Sequence, residues 1–225
     1  MSDAPVDPRW PKILSLSVHE FRTPMTVVAG YIRMLLKDRA GPLSDQQRRL
    51  LEEAEKSCAR LSALLGEVSE LSQLEGGTIS FTRQPADIAR VVTQAAAGLP
   101  ELPDRTVHVD VSAEEPGPLA ADEPRLTAAL GAIMTALRRE IVTTDRLIVR
   151  ERRAEGGYEI VVGDEPSVEA IDGRGAAPLP IFDEWRGGCG LSLAVARRVI
   201  NAHGGSVWSA PDGHKSGARI FLPAA

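Results

Sequence analysis

His19 is the side chain in this sequence best suited to nucleophilic chemistry, and its neighbours supply what such chemistry needs. Neutral imidazole is nucleophilic near pH 7, and an adjacent carboxylate can take up its second proton as it attacks. Glu20 is that carboxylate, and Thr23 follows four residues after His19. At about 3.6 residues per turn, His19 and Thr23 share one solvent-facing strip of a helix, with Glu20 beside them and Val18 on the apolar seam one step before. Pro24 has no N–H to give the Glu20 carbonyl, so the helix is expected to loosen or bend just below the histidine. A histidine on a charged helix face reads, taken alone, as a solvated residue; here it belongs to a longer word.

That word is His19-Glu20-Phe21-Arg22-Thr23-Pro24, running on into Met25-Thr26. It resembles the phosphoacceptor motif of bacterial two-component sensor histidine kinases, H-E-x-R-T-P followed by an apolar residue. The resemblance implies that His19 is phosphorylated on a ring nitrogen, that Glu20 accepts the proton, and that Thr23 orients water when a partner response regulator is dephosphorylated. Arg22 is open between a phosphate or bundle contact and a solvated charge. The resemblance extends over nearly the whole chain: its first part looks like the family's dimerisation and phosphotransfer domain, and residues 78–225 look like its ATP-binding α/β sandwich.

The second part departs from the family where ATP chemistry should be done. Asp122-Glu123-Pro124-Arg125-Leu126 resembles the start of the helix that carries the magnesium-binding asparagine in a pattern like N-L-L-x-N-A, but the aligned stretch is Ala132-Ile133-Met134-Thr135-Ala136-Leu137. A methyl group offers no oxygen to a hard cation. The family's D-x-G-x-G, whose aspartate meets the adenine amino group, is here Asp164-Glu165-Pro166-Ser167-Val168; proline and valine stand where glycines let the backbone approach. Gly187-Gly188-Cys189-Gly190-Leu191-Ser192-Leu193 resembles the G-x-G-L-G-L turn into a phosphate-receiving helix, with Ser192 replacing one glycine. Ile181 to Trp185 resembles the phenylalanine motif before it. Asp164, Gly188 and Gly190 are thus the residual candidates for a nucleotide, and a glycine turn at a helix N-terminus suits an anion or plain close packing. His203-Gly204-Gly205 reads as a fold marker, and His108 and His214 as surface or strand residues.

The elements that position these residues are legible in the hydrophobic period. Leu14, Val18, Phe21, Met25, Val28, Ile32 and Leu35 step by four and three, the spacing of a coiled-coil seam, so the first helix is expected to pack along one narrow line. Gly41-Pro42 interrupts it, Ser44 with Gln47 signals a capping box, and a second helix runs to about Glu75 before Gly76-Gly77. Two long helices joined by a short loop form an antiparallel hairpin, and since a hairpin cannot bury both seams within itself, a second copy is expected to complete a four-helix bundle as a homodimer. The period then changes. Short strands are expected at 78–82 and 107–111, helices at 87–97 and 123–139, a hairpin of 147–153 with 158–162 across Gly156-Gly157, a helix at 191–202, and closing strands at 206–210 and 218–222. The reading is an N-terminal segment 1–11, a helical hairpin 12–77 and an α+β sandwich 78–225.

Composition narrows the partners. A net charge of −5 over 225 residues argues against nucleic acid or anionic lipid, both of which reward a basic face. No stretch reaches the roughly 20 apolar residues that cross a bilayer, and residues 1–11 are no signal peptide, so the chain reads as soluble and cytoplasmic. Cys58 and Cys189, far apart and without ligand spacing, indicate neither zinc nor a stapling disulfide and read as small hydrophobes. The favoured function is phosphotransfer through His19 to or from a response-regulator receiver aspartate, with little or no ATP turnover and no metal site. An active kinase using ATP and magnesium through a diverged site is the first alternative, and a non-enzymatic scaffold for a receiver domain the second. An intact H-E-x-R-T-P word disfavours the scaffold, which has no need of a histidine, a carboxylate and a threonine on one strip.

Overall fold

The computed structural model describes residues 9–113, 117–175, 177–185 and 189–224, and the chain divides into two compact units between Ile79 and Ser80. In the first unit, helix α1 (Trp10–Leu36) starts with Pro11 in its first turn, where a missing N–H costs nothing, and continues through Pro24. Helix α2 (Asp45–Glu75) opens on a complete capping box: the Ser44 hydroxyl accepts from the Gln47 N–H at 3.3 Å, and the Ser44 N–H donates to the Gln47 side chain at 2.9 Å. Arg48 fastens the turn between the helices, donating to both carboxylate oxygens of Asp38 and to the Leu36 carbonyl. At the other end Gly77, at φ +62°, closes α2 in the left-handed conformation that glycine tolerates. The Ser72 hydroxyl donates to the Pro11 carbonyl at 2.6 Å, tying the base of the hairpin.

The seam is only half used inside the hairpin. Val18 and Ile32 are buried against α2, but Phe21 is 60% and Val28 47% exposed. This corrects the expectation of one narrow packing line. The seam residues point to two sides, and Leu16, Val27, Tyr31, Met34, Leu50 and Leu61 extend the exposed apolar surface.

The second unit is an α+β sandwich. Its strands and helices are β1 (Gln84–Asp87), α3 (Ile88–Ala97), β2 (His108–Ser112), β3 (Pro118–Ala121), α4 (Glu123–Glu140), β4 (Arg146–Ala154), β5 (Gly157–Gly163), α5 (Glu165–Asp172), α6 (Ser192–Ala202), β6 (Ser206–Ser209) and β7 (Ala218–Pro223). A mixed sheet has the order β2-β4-β5-β7-β6, parallel only between β2 and β4, and β1 pairs with β3 as a separate antiparallel ribbon. Alternation along the strands sends Leu147, Val149, Ile160, Ile220 and Leu222 to one face, all fully buried with Leu126, Leu130, Ile133, Leu193 and Ile200 of α4 and α6. The other face carries Val161, against which Val168 and Ile171 of α5 pack together with Ala210.

Three departures from the sequence expectation have physical causes. Residues 78–82 form no strand, because their polar groups bond elsewhere: the Thr78 N–H and hydroxyl both go to the Gln73 carbonyl, and the Thr82 N–H goes to Asp122. The ribbon strands β1 and β3 were not expected, since each has only four residues and contains a proline, and each exists through pairing with the other. Helix α5 was not expected either, and it bears directly on the site.

Candidate functional site

His19 stands on α1 directly after buried Val18, so its own side chain turns out to solvent, 76% exposed. Glu20 is exposed beside it, with Oε1 3.7 Å from the imidazole Nδ1. That separation exceeds a hydrogen bond, and neither exposed side chain is locked by packing. Thr23 is exposed one turn further on, so the three residues occur together on one open strip of α1. Below them, the Thr26 hydroxyl donates to the Arg22 carbonyl at 2.8 Å, supplying a local side-chain bond in the turn that Pro24 leaves short of an N–H.

In the second unit the residues of the nucleotide motifs have structural partners of their own. Asp164, 8% exposed, is the N-cap of α5, its Oδ1 accepting from the Ser167 N–H at 3.2 Å. Pro166 sits in the first turn of that helix, and Val168 faces the sheet. Ser167 is buried so closely against the strands that a Cβ on Gly217 would stand 2.7 Å from the Ser167 Cβ, and one on Gly163 would stand 3.1 Å from it. Segment 164–168, read from sequence as an altered glycine loop, is therefore a capped helix seated on the outer face of the sheet. The signal for it was present: an aspartate, then an acidic residue, then a proline is the wording of a helix start.

Ala136 is 1% exposed within α4, and Ala132 lies half-buried one turn before it. Among the described residues, no group of three or more His, Cys, Asp or Glu side chains gathers as metal ligands. Gly190 takes φ +61° in the turn before α6, and the Ser192 hydroxyl donates to the Cys189 carbonyl at 2.7 Å. Gly188 and Gly187 lie outside the described residues. Just before them, Phe182 is buried, and buried Glu184 pairs with Arg197 and Arg198 of α6. His203, read as a fold marker, is buried in a network with Asp122 and Phe81 that sequence spacing gave no means of seeing.

Residues 13–77 match the His Kinase A (phospho-acceptor) domain, and the hairpin with the sandwich after it is similar to the core of two-component sensor histidine kinases. It is 26% identical over 207 residues to the circadian input-output histidine kinase CikA of Synechococcus elongatus, covering 87% of this chain and 27% of that protein. It is 29% identical over 203 residues to the sensor-like histidine kinase SenX3 of Mycolicibacterium smegmatis, covering 86% of this chain and 52% of that protein. The chain thus spans between about a quarter and a half of the length of these relatives. In fold it is similar to full-length ShkA, solved in complex with AMPPNP, with a TM-score of 0.68 and 24% identity over 96% of this chain and 47% of that one. Among the described residues, no helix is long and apolar enough to cross a membrane.

Proposed function

We propose that this chain carries a phosphoryl group on His19, exchanged with the receiver aspartate of a response regulator, and that its second unit does not supply that group from Mg-ATP. We assign the first role to residues 12–77 and the nucleotide-like sandwich to 78–225. In the exchange, a neutral His19 attacks the phosphorus of the receiver's aspartyl phosphate through Nε2. The N–P bond forms, the acyl O–P bond breaks, the aspartate leaves as a carboxylate, and the Nδ1 proton is taken up by Glu20, 3.7 Å away. Transfer to the receiver reverses these steps. Thr23, one turn along, is placed to orient water toward a receiver phosphate docked over the strip. A receiver partner would meet the chain in the cytoplasm.

The observation that carries the second half of the reading is the role of Asp164. The residue is buried, and its Oδ1 is taken by the Ser167 N–H at the start of its own helix. Ala132 and Ala136 offer no oxygen to magnesium, so these residues do not fit the nucleotide and metal that the family implies. One observation favours the active-kinase alternative: Gly190 keeps the left-handed turn into α6 that a phosphate-receiving loop requires. The deciding experiment is parallel incubation with labelled Mg-ATP and with a labelled, phosphorylated receiver. We expect acid-labile, base-stable label on His19 from the receiver alone. A label that survives in His19→Gln would move the site elsewhere.

The exposed apolar side of the hairpin supports a homodimer through a four-helix bundle. Leaving Phe21, Val28 and Leu61 in water costs on the order of 25 cal/mol for each Å² that a partner could cover. Light scattering at micromolar concentration should give twice the chain mass, and a compact monomer would refute the pairing.

A further inference from the structure

A cavity of about 620 Å³ opens in the second unit where α3, the first turns of α4 and the β1–β3 ribbon meet. Helix α3 lines it with Arg90 and Gln94 and helix α4 with Glu123 and Thr127; each pair is spaced by one helical turn and so shares one face. Arg90 Nη2 donates to Glu123 Oε2 between the two helices, and further along a Cβ on Gly131 would stand 3.8 Å from the Ala95 carbonyl oxygen, so the helices run side by side. Gln84 and Pro85 of β1 and Pro124 of α4 add an amide and two apolar rings to the walls. At about 100° per residue, Ala132 lies about 180° around α4 from Glu123. The cavity is therefore separate from the face on which magnesium would be expected.

Polar capacity is left over at this cavity. The Thr127 hydroxyl is buried and, among the described residues, has no hydrogen-bond partner. Its counterparts on the same helices behave otherwise: the Thr93 hydroxyl donates to the Ala89 carbonyl at 2.8 Å, and the Thr135 hydroxyl to the Gly131 carbonyl at 2.7 Å. Buried hydroxyls are normally bonded, so an orphan on a cavity wall marks a place for a ligand group. The Arg90–Glu123 bond occupies one guanidinium nitrogen and one carboxylate oxygen, and the two side chains are 55% and 26% exposed. Further Arg90 N–H groups and Glu123 Oε1 thus remain for a ligand. A lone anion is a poor match, because Glu123 opposes it and the Arg125 N–H in the first turn of α4 already goes to Asp122. A lone cation is opposed by Arg90.

We propose that the cavity binds a free α-amino acid with an apolar side chain, as its zwitterion. The carboxylate accepts from Arg90, the ammonium donates to Glu123 Oε1, and the Thr127 hydroxyl accepts a further ammonium hydrogen. Because Arg90 and Glu123 are in direct contact, the two ligand charges must also be adjacent, as they are on one carbon. Pro85 and Pro124 supply the apolar surface for the ligand's side chain, and the volume falls within the usual range of small-molecule sites, roughly 300–1,000 Å³. All of these residues belong to the second unit, so binding requires no particular arrangement of the two units and no chemistry at His19.

The test follows the Gln84 and Gln94 side-chain amide signals of the full chain by NMR during titration with L-phenylalanine, N-acetyl-L-phenylalanine and L-phenylalaninamide. The acetyl compound lacks the ammonium, and the amide compound lacks the carboxylate. We expect saturable shifts at both glutamines with a millimolar or tighter dissociation constant for L-phenylalanine, and at least tenfold weaker binding of either capped compound. Thr127→Val should weaken L-phenylalanine binding at least threefold. No saturable shift at these amides would overturn the site, and equal binding of all three compounds would overturn the zwitterion assignment. Unchanged affinity in Thr127→Val would overturn the part given to its hydroxyl. The three compounds are compared on the parent protein, so the outcome stands even if Thr127→Val fails to fold.

Discussion

On α1 the His19 imidazole and the Glu20 carboxylate stand in solvent 3.7 Å apart, whereas after β5 the Asp164 carboxylate is buried and bonded to its own helix. Both regions carry a motif-bearing acid, but the acids face different demands. A carboxylate that must exchange protons with a substrate group stays accessible and lightly bonded. One that caps a buried helix end satisfies backbone N–H groups that water cannot reach. The same contrast holds at the neighbouring positions. Thr23 remains exposed beside His19, while Ser167 is packed against Gly163 and Gly217 so tightly that one added methyl would collide. Accessibility at the hairpin and burial at the sandwich are the two observations on which the proposal of phosphate exchange at His19 without transfer from ATP rests.

His19→Gln should remove all receiver-derived label while leaving the helical content of α1 unchanged by circular dichroism, because the side chain lies outside the packed seam. Next, Glu20→Ala should slow transfer about 100-fold, at the low end of general acid–base contributions, with receiver affinity changed far less. Stopped-flow transfer beside a binding titration separates the two, and an equal loss in both would make Glu20 a docking residue.

Asp164→Ala should cost about 1 kcal/mol of stability in chemical denaturation, the usual worth of an N-cap, whereas Asp164→Asn should be nearly neutral because asparagine caps equally well. If Asp164 also served a nucleotide, both substitutions would alter ligand binding, whereas a residue that only caps α5 leaves it unchanged.

Much of the first unit was legible because its signals are local. The Ser44–Gln47 box, the Gly76-Gly77 stop and the His19 to Pro24 word act within one or two turns of helix, so spacing alone places them. The seam was read correctly in period but not in direction, since Phe21 and Val28 turn to a side that a single hairpin does not cover. In the second unit, the strands of the main sheet followed from alternation, but β1 and β3 are four-residue partners more than 30 positions apart, and pairing of that kind leaves no local trace. Sequence marks Asp122 only as part of a helix start and His203 only as a fold marker, because 81 positions separate two groups that share a hydrogen bond. Helix α5 was hidden by the family pattern itself: reading Asp164 to Val168 as a damaged glycine loop obscured the N-cap and proline that begin a helix.

Exchange of phosphate between His19 and a receiver, without supply from nucleotide, is decided by calorimetric titration of the chain with Mg-ATP followed by assay for label on His19. Millimolar and micromolar dissociation constants differ by about 4 kcal/mol, so the two outcomes are well separated. No saturable binding up to millimolar Mg-ATP and no label are expected. A micromolar dissociation constant accompanied by label on His19 would contradict it and establish the chain as an active kinase.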